Sequence, residues 1–204
     1  MQLLFHFLHH DHDIALVGLA AAISIITAMA TTLLLRLTKD SQRADRWRWL
    51  TTAALVSGFG IWATHFVAML GYDTGMTTAY AVIPTVCSLL IAILGNGAAI
   101  TLSSRCDNVK GRMAAATIIG CSIGAMHYLG MAAVQMAGAF IWNYQLVALS
   151  VLLGILPAYP ALVLSLNRSG LFSGMAAGLL IVTCTVVLHF TGMAAFTVIP
   201  LPGA

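Results

Sequence analysis

The sequence contains no glutamate, and only 7% of its 204 residues are charged, whereas roughly 25% are charged in an ordinary soluble domain. Apolar residues make up 60% of the chain. This composition excludes an ordinary soluble domain and predicts an integral membrane protein. The missing carboxylates also argue against an enzyme that handles protons inside the bilayer, because no Asp or Glu lies within any of the long apolar runs.

Three further absences narrow the interpretation. The first residues, MQLLFHFLHHDHD, lack the basic segment that precedes the apolar region of a cleavable signal peptide, so we expect the first apolar run to stay in the mature chain. There is no C-x-x-C-H motif, which excludes covalently attached haem but not haem bound without covalent links. The four cysteines form no C-x-x-C pair, and we interpret Cys121 and Cys184 as small core residues.

The apolar residues are grouped into runs that can cross a hydrocarbon core of about 30 Å as helices, which takes roughly 20 residues each. We therefore predict an all-α, polytopic transmembrane helix bundle. Its six spans are expected at residues 14–35, 50–71, 79–103, 113–137, 145–166 and 171–195.

The basic residues predict the orientation of these spans. All nine Lys and Arg fall in the gaps after the first, third and fifth spans, and the positive-inside rule places such gaps in the cytoplasm. The amino terminus is then extracytoplasmic. Because these cations lie next to anionic lipid headgroups, they indicate no nucleic-acid partner. Six spans also return the chain to the outside, so we expect a seventh span beyond Ala204.

A motif recurs in the second, fourth and sixth spans. WATHFVAML, GAMHYLGMAA and VLHFTGMAA place histidines 62 residues apart, each followed by methionine four positions later. The next residue after each histidine is aromatic, and the third is small, which permits close helix approach in lipid. The chain therefore consists of three helical-hairpin repeats of about 62 residues.

The three histidines are expected to lie in one layer. They follow the last basic residue of each inner loop by 15 to 21 residues, or roughly 22–30 Å of helix, which places them in the outer half of the bilayer. Intramembrane ionisable side chains usually face the bundle interior and mark a functional site. Since residues four apart share a helix face, we predict a metal site formed by His65, His127, His189, Met69, Met131 and Met193.

The donor types favour copper. Imidazole and thioether suit copper, and especially Cu(I), better than oxygen-preferring magnesium, calcium or manganese. Zinc would accept three histidines and a water, and haem iron is the alternative because His and Met are common axial ligands. The amino-terminal HFLHHDHD, with His6, His9, His10 and His12, could load the metal or donate a ligand on the same side.

These motifs resemble those of the bacterial MHYT domain, and the resemblance covers essentially the full length. Only the middle copy spells the signature, at Met126, His127 and Tyr128; the others read Thr64-His65-Phe66 and Leu188-His189-Phe190. This difference favours the methionines four residues after each histidine as ligands, with further ligands or neighbours of the site drawn from Met126, Tyr128, His9, His10 and His12.

The resemblance implies a sensory module of the bacterial cytoplasmic membrane that binds copper and senses O2, CO, NO or redox state. It implies a cytoplasmic partner in the same polypeptide, such as a domain that makes or degrades cyclic di-GMP. No GGDEF or EAL-type segment is present in the sequence, so we expect no enzyme activity from these residues. The expected domains are a His-rich amino terminus at 1–13, a transmembrane sensory domain at 14–199 and an extracytoplasmic end at 200–204. We also expect contact with membrane lipids and a capacity to form homodimers.

Other functions use the same ligands. A copper-dependent membrane oxidoreductase would need a substrate path and proton-handling carboxylates. A copper transporter would need ligands at successive depths, whereas these histidines lie in one layer. A sensor that binds haem without covalent links differs in its visible absorption.

Overall fold

The computed structural model of the chain describes residues 13–72, 77–167 and 170–200. These residues form six long helices, and each is long and apolar enough to cross a membrane. This confirms the all-α transmembrane bundle. The helices are α1 (Ile14–Asp40), α2 (Arg43–Leu70), α3 (Val82–Arg105), α4 (Val109–Ala132), α5 (Tyr144–Asn167) and α6 (Leu171–Met193).

Four short strands among the described residues lie at one end of the bundle, and the sequence analysis did not predict them. They are β1 (Ala79–Tyr80), β2 (Val134–Gln135), β3 (Gly138–Trp142) and β4 (Phe196–Pro200). The antiparallel pairs are β1 with β2 and β3 with β4, and Trp142 is opposite Phe196 in the second pair. The predicted spans 79–103 and 113–137 therefore each included two residues that are strand. Apolar β-branched and aromatic residues extend a hydropathy run, although they suit a strand as well as a helix.

The predicted second span also began too late, because α2 starts at Arg43 rather than at residue 50. Its first turns carry charged residues that a hydropathy window excludes. The start of α1 agrees with the prediction, and Asp13 explains it: the carboxylate accepts hydrogen bonds from the backbone N–H groups of Ala15 at 2.8 Å and Leu16 at 3.4 Å. Such a cap satisfies donors that have no partner within the helix.

The helices close into a ring of three hairpins, α1–α2, α3–α4 and α5–α6. Each helix packs against the next one in the chain, and α6 packs against α1. We call the end that carries the strands the histidine end. Outside the strand pairs, each hairpin is also closed there by a backbone hydrogen bond: Asp13 N–H to Gly71 O at 2.7 Å, Ala81 N–H to Ala133 O at 2.8 Å, and Asn143 N–H to Ala195 O at 2.7 Å.

The opposite end, which we call the basic end, joins neighbouring hairpins through arginine. Each of the three junctions between hairpins is bridged by one guanidinium group that donates to the adjacent hairpin. The bonds are Arg46 Nη2 to Ser104 O at 2.5 Å, Arg112 Nη2 to Asn167 Oδ1 at 2.7 Å, and Arg36 to Gly170 O at 2.5 Å and Ser173 Oγ at 2.7 Å. Hydrogen bonds from charged donors are stronger than neutral ones, so these contacts stabilise the ring.

The middle of the bundle is filled mostly by small and aliphatic side chains. A buried cluster there includes Ile61, Ala115, Ile123 and Cys184. The interpretation of Cys184 as a core residue agrees with the structure, but that of Cys121 is wrong, because Cys121 is exposed on the outside of α4. An apolar thiol on a lipid-facing surface is as well solvated by acyl chains as by a protein core.

Candidate metal centre

The three motif histidines meet at the centre of the bundle, near the histidine end. The Nδ1 atom of His65 lies 3.2 Å from Nδ1 of His127 and 3.3 Å from Nδ1 of His189. One nitrogen from each ring can be chosen so that all three lie within 4.8 Å of one another. Relative exposures of only 2%, 1% and 6% for His65, His127 and His189 show that the cluster is sealed inside the protein.

Hydrogen bonds between the rings cannot account fully for these contacts. A neutral imidazole has one N–H and one nitrogen lone pair, so Nδ1 of His65 holds either a proton or a lone pair. It therefore cannot form separate linear hydrogen bonds to two neighbours. The Nε2 atoms of His65 and His127 are buried without a hydrogen-bond partner among the described residues. Buried polar atoms without a partner are rare in native structures, so this arrangement of rings needs an explanation beyond ring-to-ring hydrogen bonds.

Two of the three nitrogen separations match those expected around a single metal ion. Two metal–nitrogen bonds of about 2.0 Å at a tetrahedral angle place their nitrogens roughly 3.3 Å apart. The Nδ1 separations of 3.2 and 3.3 Å match this value. A metal ion would use the three Nδ1 lone pairs and leave the proton of each ring on Nε2, which defines the tautomer.

Glycines of the next repeat make this convergence sterically feasible. A Cβ atom added at Gly130 would lie 2.5 Å from Nε2 of His65, and one added at Gly192 would overlap the ring of His127. Each of these rings thus lies against the small residue of the following motif helix. The sequence predicted that the small positions allow close helix packing; the structure shows that the space is filled by an imidazole ring.

The methionines four residues after the histidines also come together. Met69, Met131 and Met193 belong to one buried cluster, which also contains Val134 and Phe196. Since each methionine is about one helical turn beyond its histidine, this cluster lies between the histidine layer and the strands. Three thioether groups therefore adjoin three imidazole groups.

An aromatic lid covers the methionine cluster. Its rings come from the strands and the loop after α2, and Phe196 is their common neighbour. Ring centroids of Phe140, Trp142 and Tyr72 lie 5.6, 5.7 and 6.3 Å from that of Phe196. The sequence-based reasoning missed this lid. The sequence signal that could have revealed it is the short run GAFIW, whose aromatic and β-branched residues favour a strand; in the structure these residues alternate between half-buried and exposed.

The other candidate site residues lie in three different parts of the chain. The Tyr128 ring contacts His127 edge to face at 4.9 Å, and its hydroxyl shares a 2.6 Å hydrogen bond with Ser150 Oγ. Met126 packs instead in the apolar cluster in the middle of the bundle. The amino-terminal histidines His9, His10 and His12 lie outside the described residues.

Comparison with known proteins agrees with the resemblance that the sequence motifs indicated. The family model described as MHYT, the bacterial signalling protein N-terminal repeat, matches residues 58–116 and 120–178. These matches place His65 and His127 at equivalent positions of successive repeats. No solved structure gives a significant match.

Three curated relatives are all signalling proteins. The chain is 33% identical over 190 residues, or 93% of its length, to an uncharacterized signaling protein of Caulobacter vibrioides. It is 38% identical over 73% of its length to the cyclic di-GMP phosphodiesterase NbdA of Pseudomonas aeruginosa. It is 34% identical over 72% of its length to MucR of the same organism, a bifunctional diguanylate cyclase and cyclic di-GMP phosphodiesterase. The matched segments span 24%, 20% and 22% of these relatives.

Proposed function

Because the chain belongs to the MHYT family of bacterial signalling repeats, we propose that it is a membrane sensor domain that binds one copper ion through His65, His127 and His189. The observation that carries this proposal is the convergence of three Nδ1 atoms, with separations of 3.2 and 3.3 Å, in a buried layer. A neutral histidine layer with a purely structural role would leave part of this contact unsatisfied.

The uncharged donor set supports copper over other metals. Three neutral imidazoles and the adjoining thioethers of Met69, Met131 and Met193 provide nitrogen and sulfur donors, and no described Asp side chain lies in this cluster. Thioether donors suit Cu(I), whereas carboxylate and water oxygens suit magnesium, calcium and manganese. Zinc binds three histidines equally well but gains little from the sulfurs.

The ring spacing supports a single ion rather than haem. Ring centroids of the three histidines are 4.9 to 5.4 Å apart. Contacts this short leave no gap between the rings that a porphyrin could enter. A haem group would have to separate α2, α4 and α6, whose close packing depends on Gly130 and Gly192.

The enclosure of the site supports a small, uncharged signal. The histidines are buried, and the methionine cluster and aromatic lid lie between them and the histidine end. Bound copper would supply one-electron redox chemistry and a position for a diatomic ligand such as O2, CO or NO. The three histidines and the glycines against them would move together if the site changed, because each ring contacts the next motif helix. We propose that this repacking shifts the bundle between two states.

The output is proposed to be cyclic di-GMP signalling. Two of the relatives carry cyclic di-GMP enzymes in their names, and the chain spans about a fifth of each. We propose that the basic end faces the cytoplasm of a bacterial inner membrane, as the positive-inside rule predicts. A cytoplasmic enzyme domain of the same polypeptide would then receive the signal from that side.

Metal analysis combined with a visible spectrum tests the proposal. The purified chain should contain about one copper per chain without a Soret band, and the His65/His127/His189→Ala variant should lose it. Asn96→Ala is the matched control, since Asn96 is a polar residue with 2% exposure that bonds to Ala92 O rather than to the histidines. A Soret band would show that the bound group is haem rather than copper. Copper retained in the triple variant would refute the proposed site.

A further inference from the structure

A groove between α2 and α3 runs along the membrane-facing surface near the basic end. It encloses about 510 Å³, and small residues including Ala54, Gly97 and Ala98 line it together with larger ones. Leu55 and Leu94, with exposures of 50% and 69%, also line it. Because this part of the chain crosses the bilayer, the groove is open to acyl chains rather than to water.

The groove ends at a cluster of cations. Arg105 lines the groove and also lines an adjoining polar pocket with Lys39, Arg46 and the hydroxyl residues Ser103 and Ser104. The described carboxylate in this pocket is that of Asp107, which pairs with Arg112 at 3.1 Å. Lys39, Arg46 and Arg105 therefore surround the pocket, and the carboxylate of Asp107 that also lines it is already paired with Arg112.

The aromatic residue at the junction fits a membrane interface. Trp47 lines the groove and a third pocket that it shares with Arg46, Ser104 and Arg105. Its side chain is 60% exposed. Tryptophan is enriched at the headgroup level of membranes, where its ring is partly apolar and partly hydrated. The groove thus lies at acyl-chain depth, and the cations lie at headgroup depth.

We infer that this surface is a binding site for an anionic phospholipid, with one acyl chain in the groove and the phosphate between Arg46, Lys39 and Arg105. Basic pockets between transmembrane helices bind anionic headgroups, and each cation near the surface contributes about 1 kcal/mol. The apolar groove adds a contact that a soluble phosphate cannot make. The site is separate from the histidine layer and does not depend on the presence of copper.

Competition between two lipids tests the site directly. The chain is reconstituted in nanodiscs that contain equal amounts of phosphatidylglycerol and phosphatidylcholine with the same acyl chains, and co-purifying lipid is measured by native mass spectrometry. We expect enrichment of phosphatidylglycerol. The Lys39→Gln/Arg105→Gln variant removes two exposed cations, so affinity for phosphatidylglycerol should fall about fivefold per cation, or roughly 30-fold in all.

Two further variants separate the headgroup from the acyl chain. Ala98→Phe fills the groove from an exposed position and should reduce retention of the lipid while the cations remain. Arg48→Gln is the matched control, because Arg48 is exposed, pairs with Asp45 at 3.1 Å and does not line the pockets. It should leave the lipid ratio unchanged.

The proposal fails if phosphatidylglycerol and phosphatidylcholine are retained equally by the wild type, or if the double variant keeps its enrichment. It also fails if glycerol phosphate alone raises the melting temperature as much as phosphatidylglycerol does, since the site would then recognise a free phosphate. Circular dichroism of each variant verifies its helix content. The single variants Lys39→Gln and Arg105→Gln give the same test, with about fivefold effects each, if the double variant does not fold.

Discussion

The contact between His65 and Gly130 allows a sharp test of how the histidine layer is built. The change Gly130→Ala adds one methyl group at a position where Cβ would lie 2.5 Å from His65 Nε2 and 2.9 Å from Cδ2. Ordinary van der Waals contact begins near 3.4 Å. The ring must therefore retreat by about 0.9 Å, or the two helices must separate by a similar distance.

The expected effect follows from the precision of metal coordination. Metal–ligand distances are maintained within about 0.2 Å, so a displacement of about 0.9 Å removes His65 from the ligand set or distorts it strongly. Loss of a supporting contact typically lowers metal affinity 10- to 100-fold, and we expect a loss in that range. Overpacking should also cost about 1–3 kcal/mol of stability, partly offset by about 1 kcal/mol because alanine favours the helix over glycine.

The assay is copper affinity, measured by titration with a competing Cu(I) chelator, together with the thermal unfolding midpoint. Gly18→Ala is the matched control, because Gly18 lies within α1 and a Cβ atom there has no neighbour within 4 Å. It should keep the wild-type copper affinity and gain up to about 1 kcal/mol of stability.

Wild-type copper affinity in Gly130→Ala, with a folded bundle, would refute the reasoning. It would mean that the His65 ring can move without loss of ligation, or that the metal is held elsewhere. A parallel loss in Gly192→Ala would support the same interpretation for His127, whose ring lies against Gly192.

Three other predictions rest on separate parts of the structure. Met131→Leu should weaken copper binding at least tenfold, whereas Met126→Leu should not. The reason is that Met131 adjoins the histidine layer and Met126 packs in the central cluster. Equal copper affinities in the two variants would exclude Met131 as a ligand. Arg36→Gln should lower the free energy of unfolding by about 1–3 kcal/mol, since it removes the bonds to Gly170 O and Ser173 Oγ that close the ring. Arg48→Gln should cost less than about 1 kcal/mol, because its pair with Asp45 is exposed. Equal losses of unfolding free energy in the two variants, measured with denaturant, would contradict this. Burial raises the pKa of Tyr80 above 10.0, so its contribution to stability is complete below about pH 10 and is lost as the pH rises further. Between neutral and alkaline pH, Tyr80→Phe should therefore lose less unfolding free energy than the wild type. Identical losses in the two proteins would refute the raised pKa.

Much of the fold could be predicted from the sequence because it depends on local properties. Hydropathy and the roughly 20 residues per span gave six helices, and all six are present. The errors fell at the ends of the spans. Charged turns at the start of α2 were excluded, and Val134–Gln135 were assigned to a helix although they form a strand. Composition alone does not distinguish a helix end from a strand in a short apolar segment.

Part of the candidate site could be predicted because it also depends on spacing along the chain. The 62-residue spacing placed His65, His127 and His189 at one depth, and the structure brings all three together. The sequence could not predict that their Nδ1 atoms face one another or that two rings lie against glycines. These features depend on the rotation of each helix and on the distance between helices, which no local pattern encodes.

The sequence by itself thus determined the number of spans, the threefold repeat and the common depth of the histidines and methionines, because helix rise and hydropathy act along the chain. Only the tertiary structure decided how the ring closes. The arginine bridges at the basic end, the aromatic lid and the 3.2–3.3 Å approach of the imidazoles join residues from different repeats. Such contacts form only when α1 packs against α6 and the three hairpins share one axis, since that packing determines which side chains meet.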